Sequence, residues 1–327
     1  MGKIPASGGH DGVGGRLGRH PPLGSGAGSA GIDAVGVLDS RILPDPELAS
    51  YWDAVIVEPS QKDRLLSQSI LNFTLRGKVS PSLLPLHGLI IMHGPAGTGK
   101  TSLARGLASR TAETINKIGR FRFIEVEPHA LTGSALGKTQ RAVRDLLGLT
   151  IAEQADRGPL IVLLDEVETL AADRSRMSLD ANPIDVHRAT DAVLAQLDQL
   201  AIKYPHLLFI ATSNFARAVD QAFFSRADLI ETIGLPSPEA CRAILRSAVE
   251  ELTRVFPAAG EIVNDPDFNR AASSCVGLDG RRIRKLVIAA CALKKQTALN
   301  PGAVTAADIL RAAKQAQEQI KEIQEAR

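Results

Sequence analysis

Ile90-Ile91-Met92-His93-Gly94-Pro95-Ala96-Gly97-Thr98-Gly99-Lys100-Thr101-Ser102 is the stretch that decides the fold. An apolar run of strand length enters a glycine-rich turn, which closes on Gly-Lys-Thr ahead of a helical pattern. GxxxxGK[ST] between a strand and a helix is a P-loop, and each part has a physical task. Glycines let backbone N–H groups approach phosphate oxygens without Cβ clashes. The helix that follows turns its positive end to the same charge. Lys100 is suited to the β- and γ-phosphates of ATP, and the Thr101 hydroxyl to Mg²⁺. The expected nucleotide-binding set is Gly94, Pro95, Ala96, Gly97, Thr98, Gly99, Lys100, Thr101 and Ser102. His93, a lone histidine at a strand end, is read as packing.

The flanking sequence repeats the same alternation. Apolar runs recur at 89–92, 121–126, 160–164, 207–212 and 229–233, and helical patterns at 101–114, 139–154 and 190–201 separate most of them. Short apolar runs alternating with helices imply a parallel sheet covered on both faces. The expected fold is α/β, a doubly wound sheet of five parallel strands. Upstream, an amphipathic helix is expected over 61–75, with regular structure starting near Ile42. Beyond Pro236 the strand pattern stops, and helical patterns run over 238–255, 281–298 and 305–327. The chain is thus divided into a tail (1–36), a large α/β domain (37–236) and a small all-helical lid (237–327). Residues 1–31 hold eleven glycines and little to bury, so flexibility is expected there. Gly26-x-Gly28-x-x-Gly31 spells a dinucleotide fingerprint, but no strand precedes it and it is read as chance.

Leu160-Ile161-Val162-Leu163-Leu164 delivers Asp165-Glu166 to the carboxyl edge of the sheet, where open α/β sheets bind ligands. Asp165 suits the Mg²⁺ side together with Thr101, and Glu166 the water that attacks the γ-phosphate. Glu168 is read as a surface acid and left out. The strand ending in Asn214 is expected beside the P-loop strand, so that Asn214 either reaches the γ-phosphate or the water, or simply makes a turn. Arg226 precedes the fifth strand, as an arginine finger offered to a neighbouring subunit or as a surface arginine paired with Asp228. Arg281 opens a lid helix in Gly280-Arg281-Arg282 and is read as a sensor bent over the nucleotide. The alternatives are a solvated basic face, or a nucleic-acid patch with Arg282, Arg284 and Lys285 that lacks interleaved aromatics.

Composition removes several other classes. The 327 residues carry 38 basic and 36 acidic side chains, a near-balance that argues against a dedicated nucleic-acid or membrane-surface binder. Apolar residues make up 44% and aromatics 4%, so the core must be mostly aliphatic. Cys241, Cys275 and Cys291 form no CxxC pair and no zinc spacing, and free thiols are expected. No apolar leader and no apolar run of 18 is present, and the expectation is a cytoplasmic protein.

Together these residues resemble the AAA+ ATPases, and within them the pachytene checkpoint protein 2 family of HORMA-domain remodellers, in its bacterial form. The likeness runs from about Val37 to the C-terminus. It rests on Tyr51-Trp52-Asp53, the P-loop, Leu164-Asp165-Glu166-Val167-Glu168-x-Leu170, Ala192-Val193-Leu194-x-Gln196-Leu197-Asp198-Gln199, Thr212-Ser213-Asn214, Ser225-Arg226-Ala227-Asp228 and Gly277-Leu278-x-Gly280-Arg281. The resemblance implies a ring-shaped homo-hexamer with ATP between neighbours. In it Glu166 drives hydrolysis, Asn214 is sensor 1, Arg226 the finger and Arg281 sensor 2. It also implies pore loops that pull on a HORMA-domain protein and free its partner. In bacterial relatives that partner is a nucleotidyltransferase of antiphage cyclic-oligonucleotide signalling. The first pore loop maps to 131–138, with Ser134, Ala135 and Leu136 at its tip, and lacks the aromatic that family members place there. Residues 1–36 are too short and glycine-rich for the folded adaptor of eukaryotic members. Two alternatives stay open: another AAA+ motor, such as a protease-linked unfoldase or a DNA-loading ATPase, and an ATP-gated scaffold with little hydrolysis.

Overall fold

The computed structural model describes residues 31–32, 34–80, 82–131, 138–171 and 183–325. Six strands form one sheet: β1 (Val37–Ile42), β2 (Leu89–His93), β3 (Arg122–Val126), β4 (Leu160–Leu164), β5 (Leu207–Ser213) and β6 (Leu229–Thr232). Their order is β1-β3-β4-β5-β2-β6. The five expected strands are all present and parallel to one another. The count of five is corrected by β1, which runs antiparallel to β3 and starts before Ile42. An edge strand needs no apolar run, and Ser40 is the one buried residue of β1, so periodicity gave no sign of it.

Side chains alternate across a strand, which explains a core on both faces. Ile90, Met92, Ile161, Leu163, Leu208 and Ile210 meet α1 (Pro46–Ala54), α2 (Pro59–Leu75) and α3 (Lys100–Thr114). Leu89, Ile91, Val162, Leu164, Phe209 and Ala211 meet the other layer. That layer holds α4 (Lys138–Asp145), the π-helical stretch Leu146–Ile151, α5 (Ala152–Asp156) and α6 (Pro183–Lys203). Short α7 (Gln221–Phe224) precedes β6.

From Pro238 onward the helices surround a core of their own, which includes Leu245, Phe268, Ile283 and Ile309. They are α8 (Pro238–Val255), α9 (Pro266–Ser273), α10 (Gly280–Ala292), α11 (Lys295–Leu299) and α12 (Ala306–Glu325). Ser237 caps α8 by accepting from the Ala240 N–H, and Pro238 occupies the first turn, where its missing donor costs nothing. The single helix expected over 281–298 is instead broken between α10 and α11. Lys294 is extended at the break and ion-paired to buried Asp308 at 2.6 Å, while the Thr297 hydroxyl donates to the Cys291 carbonyl at 2.7 Å. Tertiary anchoring of Lys294 outweighs helical propensity there. All three cysteines are free. Among the described residues no helix is long and apolar enough to cross a membrane.

Candidate active site

The register of the sheet brings the chemistry to one edge. β2 lies between β5 and β6, with Met92 opposite Thr212 and His93 opposite Ser213. The P-loop leaving β2 therefore starts beside Asn214, and Asp165-Glu166 leave β4 on the far side of β5.

The loop is wedged between two parts of the chain. A Cβ on Gly94 (φ +150°) would lie 2.1 Å from the Ile233 carbonyl oxygen, and one on Gly97 (φ +81°) 2.3 Å from Asp279 Oδ1. Only glycine fits either position, through its backbone freedom and its lack of a side chain. Asp279 caps α10 by accepting from the Arg282 N–H, and the Arg281 N–H donates to the Gly97 carbonyl at 3.1 Å. A cavity of about 410 Å³ opens here, lined by Tyr51, Val55, Ile56, Gly97, Thr98, Gly99, Ser102, Ile244, Arg281 and Arg284 among others. A second, of about 470 Å³, shares Ile56, Thr98, Ile244 and Gly280 with it. The two run along the junction of the sheet and the lid helices and are mainly apolar, which suits a purine beside a phosphate loop.

Lys100 is buried, and its ammonium donates to the carbonyls of Gly94 (2.9 Å) and Pro95 (2.8 Å) and to Asn214 Oδ1 (2.8 Å). Burial lowers its pKa, the Arg281 charge adds to this, and Glu168, Asp165 and Glu166 oppose it. Thr101 donates its hydroxyl to Asp165 Oδ1 at 2.8 Å. Thr212 also donates to Asp165, and its oxygen accepts from the Glu166 N–H at 3.1 Å. Asn214 Nδ2 donates to Glu166 Oε1 at 2.9 Å, and the Asn214 N–H to Glu168 Oε1 at 3.1 Å. Glu166 is the one non-glycine residue with positive φ among those described. Left-handed backbone costs roughly 1–2 kcal/mol for such a residue. It turns a half-exposed carboxylate along the sheet edge toward Asn214 and toward His129, whose Nε2 lies 3.5 Å from Glu166 Oε2.

This donor set fits Mg²⁺-nucleotide. One carboxylate beside one hydroxyl is a sparse site, and no group of three or more metal-ligating side chains occurs among the described residues. Mg²⁺ bound to a nucleotide takes few protein ligands and completes its shell with phosphate and water.

Most of the expected site residues come together: Gly94 to Ser102, Asp165, Glu166, Asn214 and, across the cavity, Arg281. Arg226 does not join them. Its guanidinium spans Asp198, with Nε and Nη2 each 2.7 Å from a carboxylate oxygen. The pairing with Asp228 is thereby corrected, because Asp228 accepts instead from the backbone N–H groups of His87, Gly88 and Leu89. Glu168 is corrected from surface acid to a half-buried support of Asn214. The contacts of Thr212 with Asp165 and Glu166, and of His129 with Glu166, are not among the expected ones, since nothing in the local sequence signals them. Ser134, Ala135 and Leu136 lie outside the described residues, while Leu131, at the start of that stretch, is buried in the core.

Residues 90–235 match the ATPase family associated with various cellular activities (AAA). CD-NTase-associated protein 6 of Pseudomonas aeruginosa is 54% identical over 283 residues, which cover 86% of this chain and 93% of that protein. The pachytene checkpoint protein 2 homolog of Arabidopsis thaliana is 34% identical over 278 residues, 75% of this chain and 59% of that longer protein. A chain of the solved E. coli MS115-1 HORMA:CdnC:Trip13 complex superposes with a TM-score of 0.64 at 21% identity, over 85% of this chain and 95% of that one, a likeness of fold. The chain belongs to the AAA ATPases, in the group that contains CD-NTase-associated protein 6 and the pachytene checkpoint protein 2 homologues.

Proposed function

We propose that this protein hydrolyses ATP to remodel a HORMA-domain protein and so disassembles that protein's complex with a nucleotidyltransferase. The observation that carries the enzymatic half is the chain of contacts Lys100–Asn214–Glu166, beside Thr101–Asp165, along three adjacent strand ends. A scaffold that only bound nucleotide would need Lys100 and Thr101 but no carboxylate oriented by an amide. The substrate half is supported by the CD-NTase-associated relative, which is 54% identical.

In this reading Gly94 to Ser102 wrap the phosphates, Lys100 neutralises the β- and γ-oxygens, and Thr101 and Asp165 hold Mg²⁺. When bound, the metal offsets charge that builds on the phosphate oxygens. Glu166 orients and polarises the attacking water, with Asn214 donating to one carboxylate oxygen and His129 standing 3.5 Å from the other. Arg281 reads the nucleotide from the lid. Arg226 serves the next subunit of a homo-hexamer, where a finger contributes on the order of 10³–10⁵ in rate. The division in this reading is an ATPase domain over 37–236 and a lid over 237–327. A cytoplasmic location accords with this role.

The test measures steady-state ATP hydrolysis with and without a HORMA-domain protein bound to its nucleotidyltransferase, and follows complex dissociation by size-exclusion chromatography. Hydrolysis with ATP-dependent release, lost in Glu166→Gln, is expected. Hydrolysis without release would remove the substrate assignment, and no hydrolysis at all would favour the scaffold.

A further inference from the structure

Arg226 is fully engaged inside its own subunit. Two guanidinium nitrogens face the two oxygens of Asp198, and Nη1 donates to the Ala222 carbonyl at 2.7 Å. Neither partner is free to drift. Asp198 stands on α6 between Leu197 and Leu200, which are both in the core, and Arg226 follows α7, whose Phe223 is fully buried. Yet the pair is not sealed off: the arginine side chain is 23% exposed and the aspartate 41%. Both border a cavity of about 620 Å³ shared with Ser225, Ala201 and Ile202. A deeply buried pair would resist separation, whereas a partly exposed one is open to exchange of partners.

The planar fork of an arginine matches carboxylate and phosphate alike, and the same two N–H groups cannot serve both at once. We propose that Asp198 is a latch on Arg226: it holds the guanidinium in its own subunit, and the arginine reaches a neighbour's ATP only by exchanging this carboxylate for phosphate. The proposal rests on the reading of Arg226 as a trans-acting finger. Asp198 is then a positioning residue that acts through Arg226, which gives a purpose to the Gln196-Leu197-Asp198-Gln199 string. Idle subunits keep the finger folded away, and ring assembly around ATP is what releases it.

The test is ATP turnover per subunit as a function of protein concentration. Asp198→Asn keeps the side-chain shape but replaces one acceptor with an NH₂ group that opposes the guanidinium. Below half-saturation the variant is expected to turn over roughly 2- to 5-fold faster than the native protein, the range of a half-exposed ion pair. The two curves should meet at saturation. Asp198→Glu, which restores a carboxylate, should bring the rate back toward native, and Asp198→Ser should match Asp198→Asn without depending on how Asn packs. In an Arg226→Ala background, Asp198→Asn should change nothing. Turnover of Asp198→Asn and Asp198→Ser at or below native at every concentration, with Arg226→Ala inactive, overturns the latch alone. Native turnover by Arg226→Ala overturns the finger, and the latch with it.

Discussion

Asn214 is the hinge of the proposed mechanism, and its replacement gives the sharpest test of it. Its side chain accepts from Lys100 and donates to Glu166, so Asn214→Ala breaks both contacts at once. Lys100 retains the carbonyls of Gly94 and Pro95, and nucleotide binding should therefore change by no more than about threefold. The loss should fall on turnover instead. A hydrogen bond to a charged group contributes about 1.5–3 kcal/mol, and the exposure of Glu166 favours the lower end. Turnover should then fall by a little over tenfold, since about 1.4 kcal/mol is a factor of ten. Asn214→Asp should be slower still, because it keeps an acceptor for Lys100 but turns a like charge toward Glu166. Steady-state hydrolysis gives kcat, and titration calorimetry with Glu166→Gln as the non-hydrolysing background gives the affinity. Because Asn214 acts through Glu166, adding Asn214→Ala to Glu166→Gln should cost little beyond Glu166→Gln alone. Turnover within twofold of native, or full additivity with Glu166→Gln, would refute the reasoning.

The other predictions concern binding, the loop and the lid. Lys100→Ala should abolish nucleotide binding, and undiminished affinity by calorimetry would contradict the P-loop assignment. Gly97→Ala forces an alanine to φ +81° and drives its Cβ against Asp279, the cap of α10. The cost should be about 2 kcal/mol or more, from left-handed backbone and a disturbed cap. Thermal unfolding should register it as a melting point several degrees lower, and an unchanged one would show that the loop does not hold this conformation in solution. Burial alone would raise the Asp308 pKa, but hydrogen bonds from Lys294 and Thr305 outweigh it and hold it below the ordinary 3.8. A depressed folded-state pKa adds stability that is present above the unfolded value and is lost as pH falls through the folded value. Asp308→Asn should melt earlier than native at neutral pH and lose less stability on acidification below pH 4, as circular dichroism melts across pH would show.

How much of this was legible depends on whether the cause is local. The P-loop and the Asp165-Glu166 pair are contiguous because phosphate wrapping and strand-end delivery each need neighbouring residues, so both could be read directly. The adjacency of β5 and β2 behind Asn214 was expected of a doubly wound sheet. Thr212, Glu168, His129 and Asp198 reach their partners only after strands and helices far apart in sequence are packed. Their own neighbourhoods carry no mark of it, and an acid such as Glu168 looks solvated until its surroundings are known. β1 escaped for the opposite reason, since an edge strand buries too little to leave an apolar pattern. The break before α11 escaped because helical periodicity continues across it while Lys294 is pulled to Asp308.

The glycines of the P-loop have a second consequence beyond phosphate binding. Gly94 lies against the chain leaving β6, and Gly97 against the cap of α10, with the Arg281 N–H bonded to the Gly97 carbonyl. Arg284 adds a tie from α10 to the Ala54 carbonyl at the end of α1. The loop is thus the shared wall between the sheet and the first lid helix, where Gly97 packs directly on the Asp279 carboxylate that caps α10. Close-packed backbone transmits displacement instead of damping it. Any rearrangement of residues 94–99 around a changing phosphate chain must move Asp279 and the start of α10, or break the Gly97–Arg281 contact. In the proposed mechanism nucleotide state and lid orientation are therefore coupled at this junction for as long as the Gly97–Arg281 contact holds. A machine that converts hydrolysis into movement of one part of a subunit against another requires such coupling.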